Sequence, residues 1–161
     1  MSDYVAARWY RAPEILLGSS KYDFSVDMWA VGCILAELYL CRPLFPGSST
    51  LNQISRIIEI TGKPTAEDLG EIHSPVARTM FENLKLDRGE KRDLRQILPP
   101  EAPDEAIDLI ENLLQFRPSM RLTADEALEH PFVDRYHNTK EEKEYVGEID
   151  FKLDDNKTYE I

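Results

Sequence analysis

The chain has 161 residues, enough for one domain with its own hydrophobic core. Hydrophobic residues make up 42% of it and charged residues 30%, a balance that is typical of a soluble globular protein rather than of a disordered or membrane one. The net charge of −11 argues against a nucleic-acid partner and favours basic peptides, although an acidic balance often reflects only the surface.

The cysteines and the apolar stretches predict a location. Cys33 and Cys41 lie within or beside one apolar stretch and are expected to be buried free thiols, which fits a reducing compartment such as the cytoplasm or nucleus. Residues 1–4 are polar, so no signal peptide is expected. The longest apolar stretch, 28–41, is too short to span a bilayer and contains Glu37, so no membrane partner is expected.

The first predicted helix runs from Ser25 to Leu40. Ser25 is a suitable N-cap, Asp27 favours the first turn, and Pro43 ends the helix. Its apolar residues cover nearly every face: Met28, Trp29, Val31, Ile34, Leu35, Leu38 and Tyr39. Because a helix that is apolar all round belongs inside a protein, we expect it at the domain centre with other helices packed around it.

Two shorter helices are predicted next. Thr50 and Gln53 have the spacing of a capping box, so Thr50 is expected to cap a helix that ends at Gly62. Thr65 and Asp68 repeat this spacing at the start of a third helix. The apolar face of the second helix comprises Leu51, Ile54 and Ile58.

Two further helices complete the predicted set. One follows Pro103 and closes at residues 117–118, and the next is capped by Thr123 and Glu126 and ends at residues 130–131. The buried stripe of the fourth helix comprises Ala106, Leu109, Ile110, Leu113 and Leu114.

Several motifs in order point to one family. Residues 8–14 read Arg-Trp-Tyr-Arg-Ala-Pro-Glu and end in the A-P-E signature of protein kinases. An Asp-x-Trp-x-x-Gly run at 27–32, Arg121 before a capped helix, and His-Pro at 130–131 follow. This order resembles the lower lobe of a protein kinase from the end of the activation segment onward. The resemblance implies a mainly α, protein-kinase-like C-terminal lobe over 1–136 and an acidic C-terminal extension over 137–161.

Three further segments are similar to MAP kinases. Residues 1–6 are similar to the phosphorylation lip, a Thr-x-Tyr followed by Val-Ala, with Ser2 and Tyr4 as the modified positions. Residues 77–84 resemble part of the family's insert, and 132–137 its C-terminal extension. The late Asp-Asp-Asn-Lys run at 154–157 resembles the tail of the atypical extracellular-signal-regulated branch. The resemblance implies an ATP- and Mg²⁺-dependent serine/threonine kinase of signal transduction that acts on protein substrates before proline.

The resemblance assigns structural roles to five residues. Glu14 and Arg121 correspond to the kinase ion pair that ties the activation segment to the helical lobe; the alternative is two unrelated surface charges. Asp27 corresponds to the aspartate that anchors the catalytic loop; the alternative is a charge at a helix start. Ile34 and Leu38 match the positions that, in kinases, support the apolar side chains stacked beneath the adenine. As apolar side chains they are expected to lie in the hydrophobic core.

Arg8 and Arg11 are candidates for phosphate binding. A phosphate on Tyr4 would bring nearly two negative charges and three acceptor oxygens, which guanidinium groups match well. The resemblance implies that both arginines bind this phosphotyrosine and that Arg11 shapes the pocket for the substrate proline. Two solvated arginines are the alternative.

An acidic cluster follows the last predicted helix. MAP kinases carry a docking groove for basic peptides of substrates and of the activating kinase, and Asn138, Glu141 and Glu142 occupy the matching positions here. Asn138 departs from the usual Asp, which weakens the charge of the groove. A solvated acidic tail, in part extended, is the alternative.

The chain lacks the motifs that kinase chemistry requires. Residues 1–161 contain no Gly-rich loop, strand lysine, H-R-D loop or D-F-G aspartate, so the chain alone is expected to be inactive. No metal-ligand spacing and no other catalytic constellation occurs. Ser2 replaces the usual threonine, and Ala7 stands where the family has a threonine that bonds the catalytic aspartate. Since a methionine often directly precedes the lip threonine in the family, Met1 is expected to be either an internal methionine read as a start or an artificial boundary of the chain.

Three readings remain open at this stage. The first is the substrate-binding lobe of a MAP-kinase-type enzyme. The second is a non-catalytic docking or scaffold module for basic peptides. The third is a truncated gene product.

Overall fold

The computed structural model describes residues 8–83 and 91–138, with side chains through 81 in the first range. Every regular element in these ranges is helical, as expected for a kinase-like C-terminal lobe. The α-helices are α1 (Pro13–Leu16), α2 (Ser25–Leu40), α3 (Thr50–Thr61), α4 (Ala66–Glu71), α5 (Ala77–Asn83), α6 (Leu94–Ile97), α7 (Asp104–Leu113) and α8 (Ala124–Leu128). Short 3₁₀ turns span Pro118–Met120 and Asp134–Tyr136.

The centre of the fold is the packing of α2 against α7. Gly32 in α2 makes the close approach possible, because a Cβ at this position would lie 2.9 Å from Leu113 Cβ and 2.9 Å from Leu114 Cδ2. The predicted stripe of α7 is buried at all five positions. The helix itself ends at Leu113, earlier than the expected close at residues 117–118. The predicted bounds of α2 are confirmed, but its N-cap is Phe24, so the prediction of Ser25 as the N-cap is wrong. The Ser25 amide instead donates to the side chain of Asp23 at 2.9 Å.

The prediction that α2 is buried on all sides is wrong. Trp29, Cys33 and Ala36 are fully or nearly fully buried, whereas Ile34 and Leu38 are 51% and 71% exposed. The other described helices pack on one side of α2 and leave the opposite side open. The apolar residues of a helix show which of its faces can be buried. They do not show whether another element packs against each face.

Two of the four predicted N-caps are confirmed. Thr65 and Thr123 form capping boxes with Asp68 and Glu126, as predicted. In α3 the N-cap is Ser49, whose side chain accepts a hydrogen bond from the Asn52 amide, so the prediction of Thr50 as the cap is wrong by one residue. Two adjacent hydroxyl residues offer the same chemistry, and the backbone path decides between them.

The burial of α3 differs from the predicted face. Ile54, Ile57, Ile58 and Ile60 are buried, while Leu51 is 50% exposed. Cys41 is exposed and closes α2 in the left-handed conformation, so the expectation that it is buried is wrong. Cys33 is buried, and this burial raises the pKa of its thiol.

Candidate functional site

The kinase-like motif of residues 8–14, hereafter the APE segment, leads directly into α1. Its last residues are buried: Ala12 is the N-cap of α1, and Pro13 occupies the first helical position, where its fixed φ suits a helix start. Glu14 is the acidic residue of the first turn, with its side chain buried in the lobe. The short helix therefore fixes the point from which Glu14 projects inward.

Glu14 and Arg121 form a bidentate ion pair. Arg121 Nη1 donates to Glu14 Oε1 at 2.6 Å and Nη2 donates to Oε2 at 2.7 Å. The side chains of Arg121 and Glu14 are 0% and 2% exposed, respectively. At a site without solvent, removing either partner would leave a buried charge unpaired, which would lower the free energy of unfolding. The geometry is that of a structural tie between the APE segment and the residues before α8.

Arg121 uses its remaining hydrogen-bonding capacity on backbone carbonyls. Its guanidinium donates to the carbonyl oxygens of Gln115, Ser25 and Phe116 at 2.8, 3.0 and 3.2 Å. The group also lies over the Trp29 ring, with Cζ 5.1 Å from the ring centre. Arg121 thus connects α1, the start of α2 and the loop after α7.

Gln53 of α3 clamps the first part of the APE segment. Gln53 is fully buried, its Oε1 accepts a hydrogen bond from the Gly47 amide at 3.0 Å, and its Nε2 donates to the Trp9 carbonyl at 3.2 Å. Trp9 Nε1 in turn donates to the Gly47 carbonyl at 3.0 Å. A Cβ at Gly47 would overlap Gln53 Oε1 and lie 2.7 Å from the Gln53 Cα, so only glycine fits. The sequence does not predict this clamp, because nothing in the residues around Gln53 marks it as a buried glutamine.

Tyr10 provides another attachment of the APE segment. Its hydroxyl donates to Glu37 Oε2 at 2.7 Å. This hydrogen bond, together with burial and the negative charge of Glu37, raises the pKa of Tyr10 to about 12. The segment is therefore held on both α2 and α3 before it reaches Glu14.

Arg8 and Arg11 lie on this anchored segment, as sequence analysis placed them. Both are half-buried, and the Arg11 amide donates to the Arg8 carbonyl at 3.1 Å. Arg8 Nη1 makes a long contact of 3.4 Å with the Ser48 carbonyl. Ser2 and Tyr4, their predicted partners in the phosphorylation lip, lie outside the described residues.

Asp27 is exposed on α2, on the same side as Ile34 and Leu38. The resemblance assigns these three residues to the catalytic loop and to the stack beneath the adenine. All three therefore lie together on one open face. The expectation that Ile34 and Leu38 form part of the core is wrong for this chain, because no described element packs on that face.

The predicted docking residues are only partly within the described ranges. Asn138 is exposed at the end of the second range, just after the turn Asp134–Tyr136. Glu141 and Glu142 lie outside the described residues.

The residues present do not fit an ATP–magnesium site. The four motifs that hold the phosphates and the metal are missing from residues 1–161. In the part of the chain that the structure describes, no three His, Cys, Asp or Glu side chains converge in a way that could hold a metal ion. No helix in the same ranges is long and apolar enough to cross a membrane.

Comparison with known proteins identifies the family of this chain. Residues 1–133 match the family described as "Protein kinase domain". Because this match covers most of the chain and the described fold is helical, the chain belongs to the protein kinase family.

Its relatives are MAP kinases. Extracellular signal-regulated kinase 2 of Dictyostelium discoideum is 50% identical over 161 residues, which is 100% of this chain and 43% of that protein. Mitogen-activated protein kinase 15 of Xenopus laevis is 46% identical over 156 residues, 97% of this chain and 26% of that protein. A solved structure of a MAP kinase from Leishmania major has a TM-score of 0.77 and 37% identity, covering 84% of this chain and 43% of that chain. The chain is thus of the MAP kinase type and spans less than half of each of these relatives.

Proposed function

We propose that this chain is the substrate-binding lobe of a MAP-kinase-type serine/threonine kinase, whose complete form phosphorylates Ser or Thr before Pro with ATP and Mg²⁺. One observation carries the proposal. The APE segment is fixed by the Glu14–Arg121 pair and the Gln53 clamp, while Asp27 and its neighbours on α2 stay exposed. In this proposal the anchored APE segment contributes to substrate binding. The exposed face of α2 that carries Asp27 is the surface on which the catalytic loop of the complete kinase would pack.

Residues 1–161 alone transfer no phosphate under this proposal, because the ATP-binding motifs are missing from them. Calorimetry with Mg-ATP and a radiometric assay on a Ser-Pro protein are the direct tests. Turnover by the purified chain, free of contaminating kinase, would contradict this part of the proposal.

A chimera tests the positive part. Residues 1–161 are grafted in place of the matching segment of a complete, active MAP kinase, and phosphorylation of Ser-Pro and Ser-Ala peptides is compared. An Ala7→Thr version is made in parallel, because the family places a threonine there. We expect a preference for Ser-Pro that is lost in Arg11→Ala. A chimera that is active but indifferent to proline would refute the substrate-binding role.

Arg8 and Arg11 are proposed to order the lip when Tyr4 is phosphorylated. The phosphate would form charge-assisted hydrogen bonds with both guanidinium groups, whereas an unmodified phenol gives them little electrostatic reason to converge. Hydrogen exchange across residues 5–11, with and without the phosphate, tests this. Protection that appears on phosphorylation and disappears in the Arg8→Ala, Arg11→Ala double variant is the expected result. Unchanged exchange would rule the switch out.

Docking of basic peptides is the second candidate function, and the exposed position of Asn138 favours it together with the net charge of −11. The peptides would come from substrates and from an upstream activating kinase. A labelled Lys/Arg-rich peptide should bind weakly, with affinity that falls as salt rises. Glu141→Lys, Glu142→Lys should lose this binding, whereas Glu101→Lys, Glu105→Lys, with the same change of net charge elsewhere, should keep most of it. If both double variants lost peptide affinity equally, the binding would depend only on the net charge of the chain and not on a docking site.

A further inference from the structure

Arg8 and Arg11 are the two ends of one turn. The Arg11 amide donates to the Arg8 carbonyl at 3.1 Å, so Trp9 and Tyr10 are the central residues of the turn. A turn closed in this way brings the Cα atoms of its end residues to within about 7 Å of each other. The relative position of the two arginines therefore depends on the backbone conformation of the two residues between them.

Each central residue of the turn is held by a different helix. The Tyr10 hydroxyl donates to Glu37 of α2 at 2.7 Å, and the Trp9 carbonyl accepts from Gln53 Nε2 of α3 at 3.2 Å. The contact from Glu37 reaches the end of a side chain, which can rotate without turning the peptide that carries it. The contact from Gln53 reaches the main chain, so it fixes the orientation of the peptide between Trp9 and Tyr10.

Gln53 is itself held in place. Its side chain is fully buried, and its Oε1 accepts from the Gly47 amide at 3.0 Å, while the Gly47 carbonyl accepts from the Trp9 indole at 3.0 Å. These two hydrogen bonds and the one to the Trp9 carbonyl close a ring of three. Because both ends of the Gln53 amide are bonded, flipping that amide would break two hydrogen bonds at once. Helix α3 thus determines where the Trp9 carbonyl lies.

We propose that Gln53 is a positioning residue for substrate selection: by holding the turn, it sets the preference for proline after the phosphorylated Ser or Thr. The inference rests on the proposed function, in which Arg11 shapes the pocket for that proline. Gln53 is fully buried and cannot touch a substrate, so it acts through the turn. Without the Nε2 donor, the Trp9 carbonyl loses its hydrogen bond, and the peptide is free to rotate and to carry Arg11 away from the pocket.

Hydrogen exchange of the 161-residue chain tests the positioning itself. In Gln53→Met the Arg11 amide, which closes the turn, should exchange about tenfold faster. The Ala102 amide is the internal reference, because it donates to the Pro99 carbonyl at 2.9 Å and closes a turn of the same kind elsewhere in the lobe. A general loss of stability would speed both amides, whereas a loosened turn speeds only that of Arg11. Gln96→Met, at an exposed position, is the control variant and should change neither.

The chimera with a complete MAP kinase tests the effect on substrate selection. The ratio of kcat/KM for Ser-Pro to kcat/KM for Ser-Ala peptides should fall about tenfold in Gln53→Met and stay unchanged in Gln96→Met. Partial unfolding cannot mimic this result, because a loss of active enzyme lowers both rates equally and leaves their ratio unchanged. With Arg11→Ala already present, Gln53→Met should lower the ratio no further, because its effect passes through Arg11.

Three results would overturn the inference. They are a Ser-Pro to Ser-Ala ratio that Gln53→Met leaves unchanged, an Arg11 amide that gains no more exchange than the Ala102 amide, and a further fall of the ratio when Arg11→Ala is already present. A chimera that shows no preference for Ser-Pro before any substitution would overturn the proposed function as well. In that case the exchange of the Arg11 amide would still show whether Gln53 holds the turn.

Discussion

Arg121 donates hydrogen bonds to both carboxylate oxygens of Glu14 across 107 residues of sequence, at 2.6 and 2.7 Å. The pair joins the first described helix to the residues before the last α-helix. Both side chains are buried. Removal of the pair therefore probes the connection between the substrate segment and the rest of the lobe.

Arg121→Ala should destabilise the chain by about 3–5 kcal/mol, because Glu14 would remain buried without its partner. Urea unfolding measures the change. Arg78→Ala is the control: this arginine is exposed on α5, and the change should stay within about 0.5 kcal/mol. A loss below about 1 kcal/mol for Arg121→Ala would mean that the pair is not buried in solution.

Gln53→Met should cost about 2 kcal/mol, because it leaves the Gly47 amide and the Trp9 carbonyl without their side-chain partner. The Gly47 amide should also exchange its hydrogen faster. Gln96→Met, at an exposed position, controls for the change of residue type and should be nearly neutral. Unchanged exchange at Gly47 in the Gln53 variant would contradict the clamp.

Gly32→Ala should destabilise by about 1–3 kcal/mol, because the added Cβ would overlap side-chain atoms of Leu113 and Leu114 and push α2 from α7. Gly70→Ala is the matched change in α4, where a Cβ would meet nothing within 4 Å. There the better helix propensity of alanine should stabilise by about 0.5–1 kcal/mol. Thermal unfolding of both variants gives the comparison, and opposite signs are expected.

Tyr10 should titrate late, near pH 12 and above the ordinary 10.0, because it donates to Glu37 and is partly buried. Since the pKa is raised in the folded state, unfolding releases the proton between the two values. The contribution of Tyr10 to stability is thus complete below about pH 10 and is lost as pH rises toward 12.

Absorbance at alkaline pH and urea unfolding across this window measure both effects of the Tyr10 hydrogen bond. Tyr10→Phe should remove the late titration and flatten the fall in stability. Tyr22→Phe, at a 67% exposed position, should leave both in place. A Tyr10→Phe titration curve that keeps its late component would assign the shift to another tyrosine.

The sequence predicted most helices because the cues are local. Thr65 and Thr123 cap their helices as expected, since a capping box involves four consecutive residues and needs no distant partner. The end of α2 was predicted in the same way from Pro43, whereas its N-cap is Phe24 and not the predicted Ser25. Where two neighbouring residues could do the same work, as with Ser49 and Thr50, the local rule could not choose.

By itself, the sequence determined the family and the order of its motifs, because the signature from Arg8 to Glu14 and the later Arg121 are read residue by residue. Only the tertiary structure decided which apolar residues are core. Ile34 and Leu38 are as apolar as Trp29 and lie on the same helix, yet they are exposed, because burial depends on which elements pack on each face. For the same reason Gln53, an ordinary polar residue in the sequence, became the buried clamp of the site.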